Sequence, residues 1–140
     1  MVSSQLTGRA MRSRLGFTLI ELLIVVVIIG ILAAIAVPKF ANSKEKAYVS
    51  RMKGDLRNLV TAQEGYVADN LAYYGGPLPS ATMAYNPSPN VVITITFVGP
   101  AGWAATAAMP TITTRTCAVF YGTVAAPPAP ATAEGSVACT

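Results

Sequence analysis

Histidine is absent from the 140 residues, which removes the side chain that titrates nearest neutral pH and the commonest protein ligand for metals. Charged residues make up only 11% of the chain, and beyond Asn70 the one acid is Glu134 and the one base Arg115. No serine, cysteine or carboxylate pair falls in a recognisable catalytic arrangement, so neither an enzyme nor a cofactor is expected. The C-terminal half also lacks the several carboxylate oxygens that a calcium site draws on and the basic stripe that nucleic-acid binding requires. Cysteine is nearly absent too. Cys117 and Cys139 are the only two, and in a segment that reads as exported they are expected to form one disulfide, not a redox or zinc site.

Apolar residues, by contrast, make up 53% of the chain and crowd towards the N-terminus, unlike the even spread of a soluble domain. The net charge of +4 is equally local. Arg9, Arg12 and Arg14 precede the apolar run, and the remaining seven bases face six acids. Bases ahead of an apolar run stay cytoplasmic and set membrane orientation. Residues 1–16, MVSSQLTGRAMRSRLG, therefore read as a polar, basic leader without an acid. Translation from Met11 would still give two of its arginines, so both starts are compatible with a leader.

FTLIELLIVVVIIGILAAIAV, residues 17–37, is interrupted only by Thr18, Glu21 and Gly30. As a helix at ~1.5 Å per residue it is about 31 Å long, the thickness of a bilayer's hydrocarbon core. A secretory signal cleaved near Ala36 would have a shorter apolar region and no acid, so length and Glu21 both count against that alternative. Glu21 needs an explanation of its own, because a carboxylate near a bilayer costs a few kcal/mol unless something neutralises it. A place near the end of the span lowers that cost without saying why an acid is there.

After Pro38 the pattern becomes amphipathic. Met52, Leu56, Leu59, Val60, Gln63, Tyr66 and Val67 recur three and four apart, with Lys44, Arg51, Lys53, Asp55, Arg57, Glu64 and Asp69 interspersed. This predicts a helix with one apolar face and a mixed-charge solvated one. Pro38, with no amide proton, predicts a kink or short break. A helix over residues 17–68 would be roughly 78 Å long, more than one small domain can cover. A Gly/Pro/Ser loop with three tyrosines follows at 72–89. VVITITFV at 91–98, GPAG at 99–102 and WAATAA at 103–108 read as a hairpin, and TCAVFYGTV at 116–124 as a third strand. The fold class is α+β, with a small antiparallel sheet covering the helix's apolar face. The tail from Ala125 should form a loop closed by the disulfide, with a stabilisation of ~3 kcal/mol in the chain-entropy model.

GFTLIELLIVVVIIGILAAIAVP at 16–38 resembles the N-terminal segment of type IV prepilins and of the related type II secretion pseudopilins. The resemblance rests on a glycine before a phenylalanine, a threonine next, a glutamate fifth after the junction, a glycine midway and a proline after the run. It covers about the first third of the chain, and the remainder agrees in architecture. It implies the pilin fold: a leader at 1–16, a membrane and filament-core helix at 17–38, an amphipathic helix at 39–69, and a loop, a sheet of three to four strands and a disulfide loop at 70–140. It further implies cleavage between Gly16 and Phe17 by a prepilin peptidase that also N-methylates Phe17. Glu21 would pair with the new amine of a neighbouring subunit, and the helix would loosen between Gly30 and Pro38 in the filament. The implied partners are further copies of the chain in a helical homo-oligomer, the peptidase, the assembly machinery and the inner membrane, from which the subunit passes to an extracellular pilus used in motility, adhesion or DNA uptake.

Two other functions compete with that one. A type II pseudopilin shares the N-terminus, but the major ones typically hold calcium in a C-terminal region, where this chain has the single acid Glu134. A minor pilin acting as a DNA-binding or adhesion module is the other, and a nucleic-acid partner is not expected from one C-terminal base.

Overall fold

The computed structural model describes residues 16–140, so the leader's Arg9, Arg12 and Arg14 lie outside the described residues. One helix, α1 (Leu19–Asn70), is followed by four strands: β1 (Val92–Gly99), β2 (Gly102–Ala108), β3 (Thr116–Gly122) and β4 (Ala138–Cys139). The expected α+β class is borne out. The chain divides into two compact units, one ending at Lys39 and the other beginning at Phe40.

In the first unit every residue from Phe17 to Ile35 is exposed. This stretch supplies a helical window with a mean hydropathy of 3.2 and none of it buried. Helical geometry runs through both Gly30 and Pro38, so the alternative of a short break at Pro38 does not occur. A proline removes one backbone hydrogen bond, here to the carbonyl four residues back, and the adjoining turns keep theirs.

In the second unit α1 buries Met52, Asp55, Leu56, Leu59 and Gln63, a stripe with helical spacing. Its apolar members share a core with Ile93 of β1, Trp103, Ala105 and Ala107 of β2, and Val119 of β3. The sheet order is β1-β2-β3-β4, with every neighbouring pair antiparallel. Alanine is a poor strand former in isolation, but Ala104, Ala105 and Ala107 are completely buried in β2, where packing against both neighbours and the helix decides the matter. Gly122 closes β3 at a φ of +66°, and a Cβ there would lie 2.0 Å from the Ala101 carbonyl oxygen. Only glycine fits that turn.

Two polar side chains on the buried stripe tie the 71–91 loop to the helix. Gln63, fully buried, donates to the Tyr74 carbonyl and accepts from the Tyr74 amide, both at 2.9 Å. The Asp55 carboxylate accepts from the Ser88 amide at 3.1 Å and the Ser88 hydroxyl at 2.9 Å, while its carbonyl accepts from the Tyr85 hydroxyl at 2.8 Å. Asp55 is therefore no part of the solvated face on which its charge would place it. Its partners offset the cost of burial.

Burial, and then the charge of Asp55, push the Tyr85 phenol above its usual range. A raised folded-state value means that the folded chain holds this proton when the unfolded chain has released it. The contribution is complete below the unfolded value of ~10 and is lost as pH rises beyond it. Denaturation midpoints should hold up to pH ~9 and fall above ~10. Tyr85→Phe should begin about 1 kcal/mol less stable, from the lost hydrogen bond, and decline less steeply. Equal slopes for the two proteins would contradict the assignment.

Cys117 and Cys139 are joined and face each other in register across β3 and β4. The expected disulfide loop is present. The loop is held at two further points: the Gly135 amide donates to the Phe120 carbonyl at 2.9 Å, and the Glu134 carboxylate accepts from the Gly122 amide at 2.6 Å. The sheet has four strands, within the three to four expected, and the fourth lies in the tail, where a two-residue strand carries no periodic signal. Cys139→Ser should cost ~3 kcal/mol. Hydrogen exchange should quicken at Thr140, whose amide donates to the Thr116 carbonyl, while the β1–β2 amides stay protected. Uniform loss of protection would show that the bridge supports the whole sheet.

Candidate functional site

Gly16, Phe17 and Thr18 immediately precede α1, and Glu21 lies in its first turn. Thr18 stands immediately before the first helical residue. Its amide donates to the Glu21 carboxylate at 2.8 Å, its hydroxyl donates to the same oxygen at 2.7 Å, and the Glu21 amide donates back to the Thr18 hydroxyl oxygen at 3.3 Å. This reciprocal pattern is a capping box. A threonine N-cap and a glutamate three residues later satisfy donors that a helix start leaves unpaired, with the carboxylate at the positive end of the helix dipole. Sequence reasoning noted both residues without assigning them to each other, although the spacing T-x-x-E ahead of an apolar run is itself the signal.

Phe17, 80% exposed, precedes the cap. A Cβ at Gly16 would meet nothing within 4 Å, and the same holds at Gly30. Among the described residues, packing requires glycine at neither place. Gly30 and Pro38 lie inside α1, while Cys117 and Cys139 belong to the other unit. No group of three or more potential metal ligands occurs among the described residues.

Residues 11–37 match the family model described as the prokaryotic N-terminal methylation motif. The N-terminal segment carries that motif. Similar proteins include the type II secretion system core protein G of Pseudomonas aeruginosa, 47% identical over 62 residues that cover 44% of each chain. The type IV major pilin protein PilA of Myxococcus xanthus is 50% identical over 58 residues, 41% of this chain and 26% of that one. The type IV major fimbrial protein FimA of Dichelobacter nodosus is 54% identical over 54 residues, 39% of this chain and 35% of its own. The chain spans less than half the length of these curated relatives. The resemblance to prepilins and pseudopilins is borne out, and the methylation segment has both members of its capping box within the matched residues.

Proposed function

We propose that the chain is the precursor of a structural subunit of a type IV pilus. A prepilin peptidase cuts it between Gly16 and Phe17 and N-methylates Phe17. Residues 17–38 hold the subunit in the inner membrane as a single span, and assembly machinery then transfers that span into the core of an extracellular filament. The repeated contact is head-to-tail with a helical operator, which yields an open polymer and no closed ring. No chemistry on a substrate is assigned to it.

The observation that carries this reading is the fully exposed apolar run, headed by an acid whose only hydrogen-bonding partner among the described residues is Thr18. A helical surface of this length and hydropathy needs lipid or other copies of itself around it. Glu21 adds the register. The cut falls one residue before the N-cap, so maturation keeps the Thr18 amide and hydroxyl that hold the carboxylate and creates an amine at Phe17. While the subunit waits in the membrane, the capping box keeps the acid hydrogen-bonded. On assembly the carboxylate meets the Phe17 amine of a neighbouring copy, and opposite charges brought together away from water fix one register. Loosening of the helix between Gly30 and Pro38 accompanies this transfer, at a poor helix former and a breaker.

The similarity to a secretion protein G supports a pseudopilin as the second reading. Against it stands the donor set: the sole acid beyond Asn70 is Glu134, and its carboxylate caps the end of β3 at Gly122. Deleting the gene separates the two. Loss of surface filaments with type II secretion intact supports the pilus, and loss of secretion with filaments intact supports the pseudopilin.

A further inference from the structure

The last turn of α1 holds two residues that its own helix does not favour. Asp69 lies at the negative end of the helix dipole, where a base would suit better, and the turn has no base. Leu71 follows with a φ of +57°, its amide donating to the Val67 carbonyl at 2.9 Å. Such a left-handed cap normally falls to glycine or asparagine, yet here it is a leucine that is 91% exposed. Local rules are broken most often at functional sites.

A cleft with complementary properties opens further back on the same helix, within the unit that begins at Phe40. Its volume is about 590 Å³, and its lining includes Lys46, Val49, Lys53, Arg115 and Cys139. Lys46, Val49 and Lys53 are spaced three and four apart and so share one flank of α1. Arg115 is paired with Glu45, while neither lysine has an ion-pair partner among the described residues. Val49 and Cys139, both packed against the core, give the cleft an apolar part.

Beyond Lys39 the chain has six bases and five acids. Glu45 is paired with Arg115, Asp55 is buried on Ser88, and Glu134 is held by the Gly122 amide, which leaves Glu64 and Asp69. Glu64 lies 18 residues beyond Lys46, five full turns, and is therefore on the cleft's own flank. Contact through it would bring like flanks together, the two-fold arrangement that closes a dimer. Asp69 lies 16 residues beyond Lys53 and 23 beyond Lys46, ~140–160° around the helix and so on the opposite flank. A cleft on one flank and its complement on the other is the heterologous arrangement that builds an open polymer.

We infer that the cleft takes the end of α1 from a neighbouring copy of the chain, with Asp69 meeting Lys46 and Lys53, and Leu71 packing on Val49 and Cys139. Neighbouring copies then lie parallel and are staggered by ~24–35 Å along the helix, the rise of the 16 to 23 residues that separate acid from base. The contact rests on the reading of the chain as a filament subunit and gives that filament a second register besides the one proposed for Glu21. Its charges are exposed, so salt weakens it.

Purified filaments treated with a carbodiimide, which joins an amine to a carboxylate without a spacer, should yield peptides that link Lys46 or Lys53 to Asp69. At ~24–35 Å apart on one helix these residues cannot be joined within a copy, so the link reports a neighbour. Asp69→Lys, and separately Lys46→Glu/Lys53→Glu, should each lower filament yield about tenfold or more by setting like charges against each other, and the chain carrying all three changes should recover most of it. Asp69→Lys suits the helix end and Leu71→Gly suits its φ, so both variants should keep the wild-type thermal midpoint while assembling poorly. Links from the lysines to Glu64 or to a different protein, with none to Asp69, would overturn the proposal. So would charge-reversed variants that assemble normally, or a folded triple variant that does not recover. A wild-type chain that forms no filaments would overturn the pilus reading and this contact with it.

Discussion

Glu21→Gln is expected to leave the protein in the membrane, cut behind Gly16, and unable to assemble filaments efficiently. Glutamine keeps an acceptor oxygen at the position where Thr18 donates, and it serves in a capping box as glutamate does. The start of α1 should therefore be preserved, and the loss of a charge only makes membrane insertion easier. What disappears is the anion proposed to meet the Phe17 amine of the next subunit, which would leave that amine unpaired in surroundings poor in water. Filament yield should fall by at least about tenfold, as a lost charge pair away from water implies. Glu21→Ala should fall at least as far, because it forfeits the cap as well. Sheared-filament yields in a strain without the native copy decide between two roles. If Glu21→Gln assembles normally and Glu21→Ala does not, the residue acts as a helix cap and the intersubunit pairing is wrong.

Gly16→Leu should block maturation almost completely. Among the described residues nothing within 4 Å opposes a Cβ at Gly16, so the substitution should spare the fold and act where the proposed peptidase accommodates the residue before the cut. Uncleaved precursor should accumulate in the membrane fraction, visible as a slower band with the leader retained, and filaments should be absent. Normal cleavage would mean that the junction is not at Gly16. Gly30→Ala makes a useful companion, since it too meets no obstacle within the chain and gains helix propensity of ~1 kcal/mol. An assembly defect there would locate the demand for glycine in the filament.

The parts of the fold with a strong period were legible in the sequence. The apolar run and the Met52, Leu56, Leu59 stripe announce themselves through helical spacing, and β1 through its alternating β-branched residues. The disulfide followed from having two cysteines in a segment read as exported. What could not be seen was the use of polar groups inside the core. Asp55 looked like a solvated charge because its partners, Tyr85 and Ser88, are 30 and 33 residues away, and no local pattern encodes that contact. Gln63 was placed on the correct face, but its clamp on the Tyr74 backbone depends on where a long loop returns. β4 is a two-residue pairing beside the Cys117–Cys139 bridge, too short to carry a period of its own. In the candidate site the reverse holds. The capping box of Thr18 and Glu21 is local, and the T-x-x-E spacing ahead of an apolar run is enough to encode it.

The central claim is that a chain cut at one bond becomes, by exposing a methylated amine beside a capped glutamate, a unit of a polymer. Intact-mass and N-terminal fragment spectra of the subunit from purified filaments test it most directly. The account predicts a chain beginning at N-methylated Phe17, with Thr18 and Glu21 intact and Cys117 bonded to Cys139. A chain beginning just beyond Ala36 would contradict it, because the residues proposed as filament core would then have been discarded as a secretory signal.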